Sequence, residues 1–358
     1  MSSNPVLDSA RQVIEISQHV KLNHEGIKRA AQPILSQLVK EPYTPSSWAA
    51  VPLHPVPAKH SAEFILNWVF LVSSLNFSFW SSLPSDKRYG VRYKSACDGK
   101  AEQGRGDVVW TGYFSLLAAL HRAIEAGVDV TNPRWYGKEA SDAELKDVLR
   151  TDQEEEMPLL NERIRVLREV GGVLCDKYDG SFEPLLASAN HSALSLVDKV
   201  TALFPCYDDV TSYPTIPSPV FIRKRAQILV AETWAAFEGK GFGRFDDIDQ
   251  LSMFADYRVP QILHSLGTLT YDEHLTRILV DGENLDNGSR EEVEIRCGSI
   301  VVVEHIKEEI RRLVTEGRLD VEVPNSVLLD FLLWDLAKVE EAKGKATLPH
   351  HRTRSVFY

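Results

Sequence analysis

The sequence contains no CxxC pair. Its four cysteines, Cys97, Cys175, Cys206 and Cys297, lie far apart, a spacing that signals neither a zinc site nor a redox motif and reads as reduced thiols in a cytosolic-type compartment. It also lacks basic excess. The 40 Lys and Arg are outnumbered by 51 Asp and Glu, for a formal net charge of −11, which argues against an extended phosphate-backbone footprint and against duplex DNA as a partner. A local basic pocket for a single phosphate stays compatible with that charge. No phosphate-cradling loop is present: KGFGR at 240–244 lacks the GK[ST] ending and has no strand before it, so it is a tight turn. No basic n-region leads into an apolar h-region near Met1, so no secretory signal is expected; the expected location is cytoplasmic, with a nuclear presence allowed. Charge is missing altogether between Glu63 and Asp86, a run long enough to raise a transmembrane helix. Asn67, Ser73, Ser74, Asn76 and Ser78 interrupt it and no Lys or Arg cluster flanks it, so a buried helix followed by a polar-aromatic segment is the better reading, with no membrane partner.

What is present is mostly helical periodicity. Apolar residues at steps of three and four predict helices over 6–38, with a break near His24 to Gly26, and over 112–123, 159–170, 221–237, 275–280, 291–309 and 326–338. Five prolines between Pro42 and Pro57, and four between Pro205 and Pro219, forbid regular helix there and predict ordered connectors. The Gly-rich stretch at 97–107 is expected to be a surface loop, and the acidic run at 152–156 leads into a solvated helix. Arg296 should pair with an acid, and the basic, aromatic tail at 350–358 should pack back. With no clear boundary, residues 1–358 are expected to form a single domain.

The stretch FDDIDQLSMFADYRVPQIL at 245–263 carries the most chemistry. Ile248, Leu251 and Ala255 recur at helical spacing, so the pattern predicts a helix starting near Asp247. Pro260 cannot donate an amide hydrogen to the Asp256 carbonyl, which predicts a kink at Asp256. On periodicity alone this is either a solvated acidic face or a carboxylate held at a backbone break, facing a pocket. Two further features invite the second reading. LNFSFW at 75–80 brings aromatics and an amide together, suited either to a core or to stacking on a flat ring. SVLLDFLLWDLAK at 326–338 keeps Asp330 and Asp335 in an apolar helix, where unpaired carboxylates are costly and need a cation from the protein or a ligand.

LNFSFW, GYFSLLAALHRA at 112–123, KRAQIL at 224–229, FADYRVPQ at 254–261, EVEIR at 292–296, LLDFLLWD at 328–335 and HRTRSVFY at 351–358 together resemble the queuosine 5′-phosphate N-glycosylase/hydrolase family, over nearly the whole chain. The resemblance implies a mainly α, single compact helical domain similar to the helix-hairpin-helix DNA glycosylase core. It implies hydrolysis of the N-glycosidic bond of queuosine 5′-phosphate to queuine and ribose 5-phosphate, for queuine salvage towards tRNA modification. The implied partner is a small-molecule substrate, with no stable nucleic-acid partner, no organic cofactor and no metal. Asp256 falls on the catalytic position; His54, Phe254, Asp330 and Asp335 fall on substrate-binding positions; Asn76, Phe77, Trp80 and Trp334 are further candidates for the pocket. Chemistry agrees: cleaving a ribosyl C–N bond builds positive charge on the sugar, which a fixed carboxylate stabilises. A 7-deazapurine offers no N7 to protonate, so more falls on that carboxylate. Carboxylates on an apolar helix also suit the cationic amine and the diol of the base. The competing readings are a nucleic-acid base glycosylase and a non-catalytic queuine-binding protein.

Overall fold

Helices begin where a capping side chain precedes an apolar stripe. Asn4 accepts from the Val6 amide ahead of the helix Pro5–Glu15, and Ser61, Asp272, Ser289 and Asn325 do the same for Ala62–Ser74, Glu273–Asp281, Arg290–Gly317 and Ser326–Ala342. The computed structural model describes residues 4–55, 57–94, 107–343 and 347–358, and its architecture is mainly α. The expected surface loop at 97–107 lies, apart from Asp107, outside the described residues. Among those residues the strands form three two-stranded antiparallel ladders: Val20–Leu22 with Leu269–Tyr271, Val91–Tyr93 with Val108–Trp110, and Val210–Tyr213 with Ile216–Phe221. No helix is long and apolar enough to cross a membrane among them. The uncharged run instead contributes the helix Ala62–Ser74, all of it buried from Ile65 onward.

The N-terminal helix is interrupted, but at 16–23, ahead of the expected His24 to Gly26, which form the first turn of the second helix. The chain leaves Pro5–Glu15, makes the strand Val20–Leu22 and re-enters helix at His24–Lys40. The buried Glu294 carboxylate holds the turn, accepting from the amides of Gln18, His19 and Val20 at 2.7–3.1 Å.

Apolar burial divides into two clusters. One is built on Ala62–Ser74 and Lys224–Ala236, the other on Arg290–Gly317 with the two N-terminal helices. Ser326–Ala342 lies between them, sending Val327 into the first and Leu329, Leu332 and Leu333 into the second.

The predicted helix at 245–263 is not what forms. A short 3₁₀ turn at Ile248–Gln250 is followed by non-helical backbone, and the α-helix is Arg258–Ser265. Pro260 therefore sits in the first turn of a helix, where its missing N–H costs nothing, instead of kinking a longer one. Residues 251–255 run along the seam between the clusters, with Leu251 and Phe254 in one and Met253 and Ala255 in the other. Buried side chains satisfy this backbone: Gln227 Oε1 accepts from the Ser252 amide at 3.0 Å, Asp330 Oδ1 accepts from the Phe254 amide at 2.9 Å, and Arg296 Nε donates to the Ala255 carbonyl at 2.9 Å.

Arg296 does pair with acids. It donates to both carboxylate oxygens of Asp209, at 2.6 and 3.1 Å, and to Glu292 at 3.2 Å, with the Tyr358 ring 3.8 Å from its guanidinium carbon. The tail also packs back as expected, strapped onto LNFSFW. Ser78 bonds to Tyr358 and Ser355, Trp80 Nε1 donates to the Thr353 carbonyl, and Arg354 lies over the Trp80 ring while donating to its carbonyl.

Candidate active site

Where the two clusters meet, a cavity of about 670 Å³ opens, a size that suits a nucleotide-scale ligand. All nine residues singled out from the sequence line it: His54, Asn76, Phe77, Trp80, Phe254, Asp256, Asp330, Trp334 and Asp335.

Asp256 stands just ahead of the helix Arg258–Ser265. Its Oδ1 accepts from the first two amides of that helix, Arg258 and Val259, at 2.9 and 2.8 Å, and its own amide donates to the Phe254 carbonyl at 2.7 Å. The side chain is thus locked in rotation, and Oδ2 has no protein partner among the described residues. Asp256 lines the cavity, and desolvation by burial raises the carboxyl above its ordinary range; the Lys224 ammonium and the two amides pull it back.

Lys224 is the residue that periodicity missed. It opens the helix Lys224–Ala236, is buried, and donates to the Asn76 carbonyl and side-chain oxygen at 3.1 and 3.2 Å. Burial brings its ammonium down to about 8, against the attraction of Asp256 and Asp330. Asp330 is buried beside Asp256. Desolvation, then the Asp256 charge, push it well above the usual carboxylate range. Its Oδ1 holds the Phe254 amide, and the Phe254 ring packs on Phe331 at 5.9 Å between centroids.

His54 lines the cavity with both nitrogens engaged. Nδ1 is 2.9 Å from the Trp48 carbonyl and Nε2 is 3.0 Å from the Tyr113 hydroxyl. A carbonyl can only accept, so Nδ1 carries the hydrogen and Tyr113 O–H donates to Nε2. Burial brings the imidazole down to about 3, so the ring is neutral. Asp335, half-buried, accepts from the Tyr43 hydroxyl at 2.6 Å. Trp334 meets Tyr113 edge-on and lies under the Lys338 ammonium. The guanidinium carbons of Arg163 and Arg225 lie 4.4 and 5.1 Å from the centre of the Phe77 ring, and buried Arg163 pins the segment by donating to the Leu75 and Phe77 carbonyls.

The helix Lys224–Ala236 reads as apolar from its period, yet Lys224, Ile228 and Glu232, four apart on one face, all line the cavity. The signal was available: charges inside an apolar helix, the same oddity that marked Asp330 and Asp335. Tyr43, Tyr113, Arg258 and Lys338 also line the cavity and were not singled out. Among the described residues no group of three or more His, Cys, Asp or Glu is arranged to hold a metal ion.

A family model described as Queuosine salvage protein matches residues 53–358. The chain is 40% identical over 353 residues to a protein from Mus musculus named Queuosine 5′-phosphate N-glycosylase/hydrolase, with 98% of each covered. It is 39% identical over 369 residues to the protein of that name from Schizosaccharomyces pombe, with 99% of each covered. A third, from Sphaerobacter thermophilus, is 37% identical over 359 residues, covering 99% of this chain and 97% of the relative. These matches span the elements that build the cavity, and the chain belongs to the queuosine salvage protein family.

Proposed function

We propose that this protein hydrolyses the N-glycosidic bond of queuosine 5′-phosphate, releasing queuine and ribose 5-phosphate for queuine salvage towards tRNA modification. The observation that carries this reading is the state of Asp256: one oxygen pinned by two amides, the other open to the cavity. A carboxylate fixed in this way costs no reorganisation when positive charge develops on the ribosyl ring, and it can orient and deprotonate the attacking water. Asp256 is the catalytic residue in this scheme. Lys224 keeps it ionised, and the proton on Asp330 prevents a second negative charge from forming beside it. As the C–N bond breaks, the electron pair leaves with the base, the water's hydroxyl bonds to the ribosyl carbon while its proton passes to Asp256, and the base takes up a proton from Asp330 or Lys224, both of which line the cavity.

Substrate recognition follows from the other walls. Asp335, held by Tyr43, is the acceptor for the cationic amine of the base and its diol, with Asp330 supporting the Phe254 backbone. Phe254, Phe77, Trp80 and Trp334 are flat or apolar walls for the ring. Asn76 contributes by anchoring Lys224, and His54 contributes by orienting the Tyr113 hydroxyl. The whole of residues 1–358 acts as one catalytic domain, since both apolar clusters supply walls to the same cavity, and the likeness to helix-hairpin-helix DNA glycosylases stands as part of this proposal. The formal charge of −11 favours a small-molecule substrate over a nucleic-acid partner. Unpaired Cys175, Cys206 and Cys297 fit a reducing, cytoplasmic location, with nuclear presence allowed.

The test is a product assay on the purified protein with queuosine 5′-phosphate and, in parallel, an oligonucleotide containing queuosine. Queuine and ribose 5-phosphate in equal amounts from the monophosphate alone is the expected result. Release from the oligonucleotide alone would make the protein a polymer glycosylase, and binding without release would make it a carrier.

A further inference from the structure

Five acids line the cavity: Glu232, Asp256, Asp330, Asp335 and Glu341. Four of them have an oxygen already committed. Asp256 Oδ1 holds two amides, Asp330 Oδ1 holds the Phe254 amide, Asp335 Oδ2 accepts from Tyr43, and Glu341 Oε1 accepts from Arg258 at 3.2 Å. Glu232 is different. Only 6% of it is exposed, and it has no hydrogen bond or ion pair among the described residues.

The neighbours explain why no protein donor reaches it. Lys224, two turns earlier on the same face, spends its ammonium on Asn76. Tyr113 lies close enough to feel the Glu232 charge, yet its hydroxyl hydrogen is directed at His54 Nε2. An acid left this way by its own protein is costly, and burial pushes its carboxyl up to about 8, so without a ligand it holds a proton at neutral pH that it releases when two N–H donors meet its oxygens. Glu232 lines the cavity, so donors of a ligand can reach it, and neither oxygen is committed within the described residues.

We infer that Glu232 reads the base, accepting through its two oxygens from two adjacent donors of a guanine-type edge, the ring N1–H and the 2-amino group. It is then the residue that makes the enzyme require a 2-amino base. No other acid in the cavity has two uncommitted oxygens for such a paired contact, and a bidentate carboxylate is the natural complement of two parallel N–H bonds. The inference rests on the proposed function, because it takes a 7-deazaguanine nucleotide as the occupant.

The experiment compares wild type with Glu232→Gln on two substrates: queuosine 5′-phosphate and the otherwise identical nucleotide whose base lacks the 2-amino group. Wild type should favour the natural substrate on the order of 100-fold in kcat/KM, the worth of a charge-assisted hydrogen bond in a buried site. Gln presents one acceptor and one NH₂, so the variant should lose on the order of 100-fold on the natural substrate and little on the other, collapsing the preference. Binding of queuine and its 2-deamino counterpart, followed by calorimetry, should show the same collapse without turnover. Glu232→Asp, which keeps both acceptors, should lower activity yet retain the preference, so a poorly folding Gln variant does not end the test. An unchanged preference in Glu232→Gln, whether activity falls on both substrates or on neither, overturns the assignment while leaving the hydrolysis reading intact. A collapsed preference in binding with no hydrolysis by wild type supports the assignment and removes the hydrolysis reading. Failure of wild type both to bind queuine and to hydrolyse queuosine 5′-phosphate overturns both.

Discussion

Replacing Asp256 by Asn alters one atom of the site and separates its electrostatics from its architecture. Asn retains an oxygen for the Arg258 and Val259 amides, and Asn caps helices about as well as Asp, so the start of Arg258–Ser265 survives at a cost of a few tenths of a kcal/mol. The NH₂ group then stands where Oδ2 faced the cavity. Losing the preorganised negative charge should lower kcat by on the order of 100- to 1000-fold, about 3–4 kcal/mol of transition-state stabilisation, with KM little changed. Stability should move the other way. Burial holds the folded-state carboxyl above its unfolded value, so the stability contributed by this group is present below the unfolded value and lost as pH rises through the folded one. At neutral pH the ionised carboxylate is a cost that Asn removes, about 1.4 kcal/mol for every tenfold by which folding weakens the acid. The variant should therefore melt at or a few degrees above wild type at pH 7.5, with the difference shrinking at pH 5. Steady-state release of ribose 5-phosphate and thermal melts at the two pH values measure both effects. A folded Asp256→Asn protein that hydrolyses within about tenfold of wild type refutes the electrostatic argument, since a lost oxyanion-type contact alone exceeds that.

Three further outcomes follow from the walls and supports. Phe254→Ala should raise KM by about one stacking contact, 1–3 kcal/mol, and Phe254→Tyr should be mild; thermal shift with queuine on the Ala variant, compared with its apo melt, separates lost stacking from the packing lost against Phe331. Asp335→Asn should weaken queuosine 5′-phosphate about 10- to 100-fold while barely affecting a simple 7-deazaguanine nucleotide without the amine arm, and equal losses on both would assign Asp335 to the fold or the sugar. Arg296→Met strands Asp209 and Glu292 in the core and should cost about 3–5 kcal/mol in urea melts at pH 7. That cost should ease at pH 5, because acids left unpaired and buried have raised folded-state values and destabilise only when ionised; a pH-independent loss would mean that packing, not charge, is what Arg296 supplies.

The longer helices were legible because they have a periodic apolar face, whereas Asp142–Val148, Glu183–Ser188 and Ala193–Leu203 were not foreseen, and Ser47–Ala50 forms a helical turn between the prolines of a stretch expected to hold none. The segment 251–255 was not legible, and the reason is physical. Its apolar residues match a helical spacing, but they are shared between two cores, and its backbone is satisfied by Gln227, Asp330 and Arg296, which stand 25, 76 and 41 residues away. No local pattern encodes that. The acids of 326–338 could be found from the sequence, since a charge in an apolar helix stands out; the same argument applied to 221–237 points to Lys224 and Glu232. Nor could a sequence show that the nitrogens of His54 are spent within the protein, because its partners Trp48 and Tyr113 are positioned by tertiary packing.

The strapping of the tail onto LNFSFW has a consequence for biosynthesis. Ser78 and Ser355 bond across 277 residues, and Trp80 is held by Thr353 and Arg354. During translation Lys224, Asp256 and Asp330 emerge before the residues that hold this wall in place. A nascent chain short of 350–358 therefore carries Asp256 without the segment that holds this wall of the cavity. Closing so long a loop adds little to the free energy beyond a shorter one, since the entropic cost grows only as about (3/2)RT ln n, but contacts this distant in sequence form late and slowly. The wall of the cavity at LNFSFW is therefore completed only when a segment some 277 residues further along the chain has docked onto it.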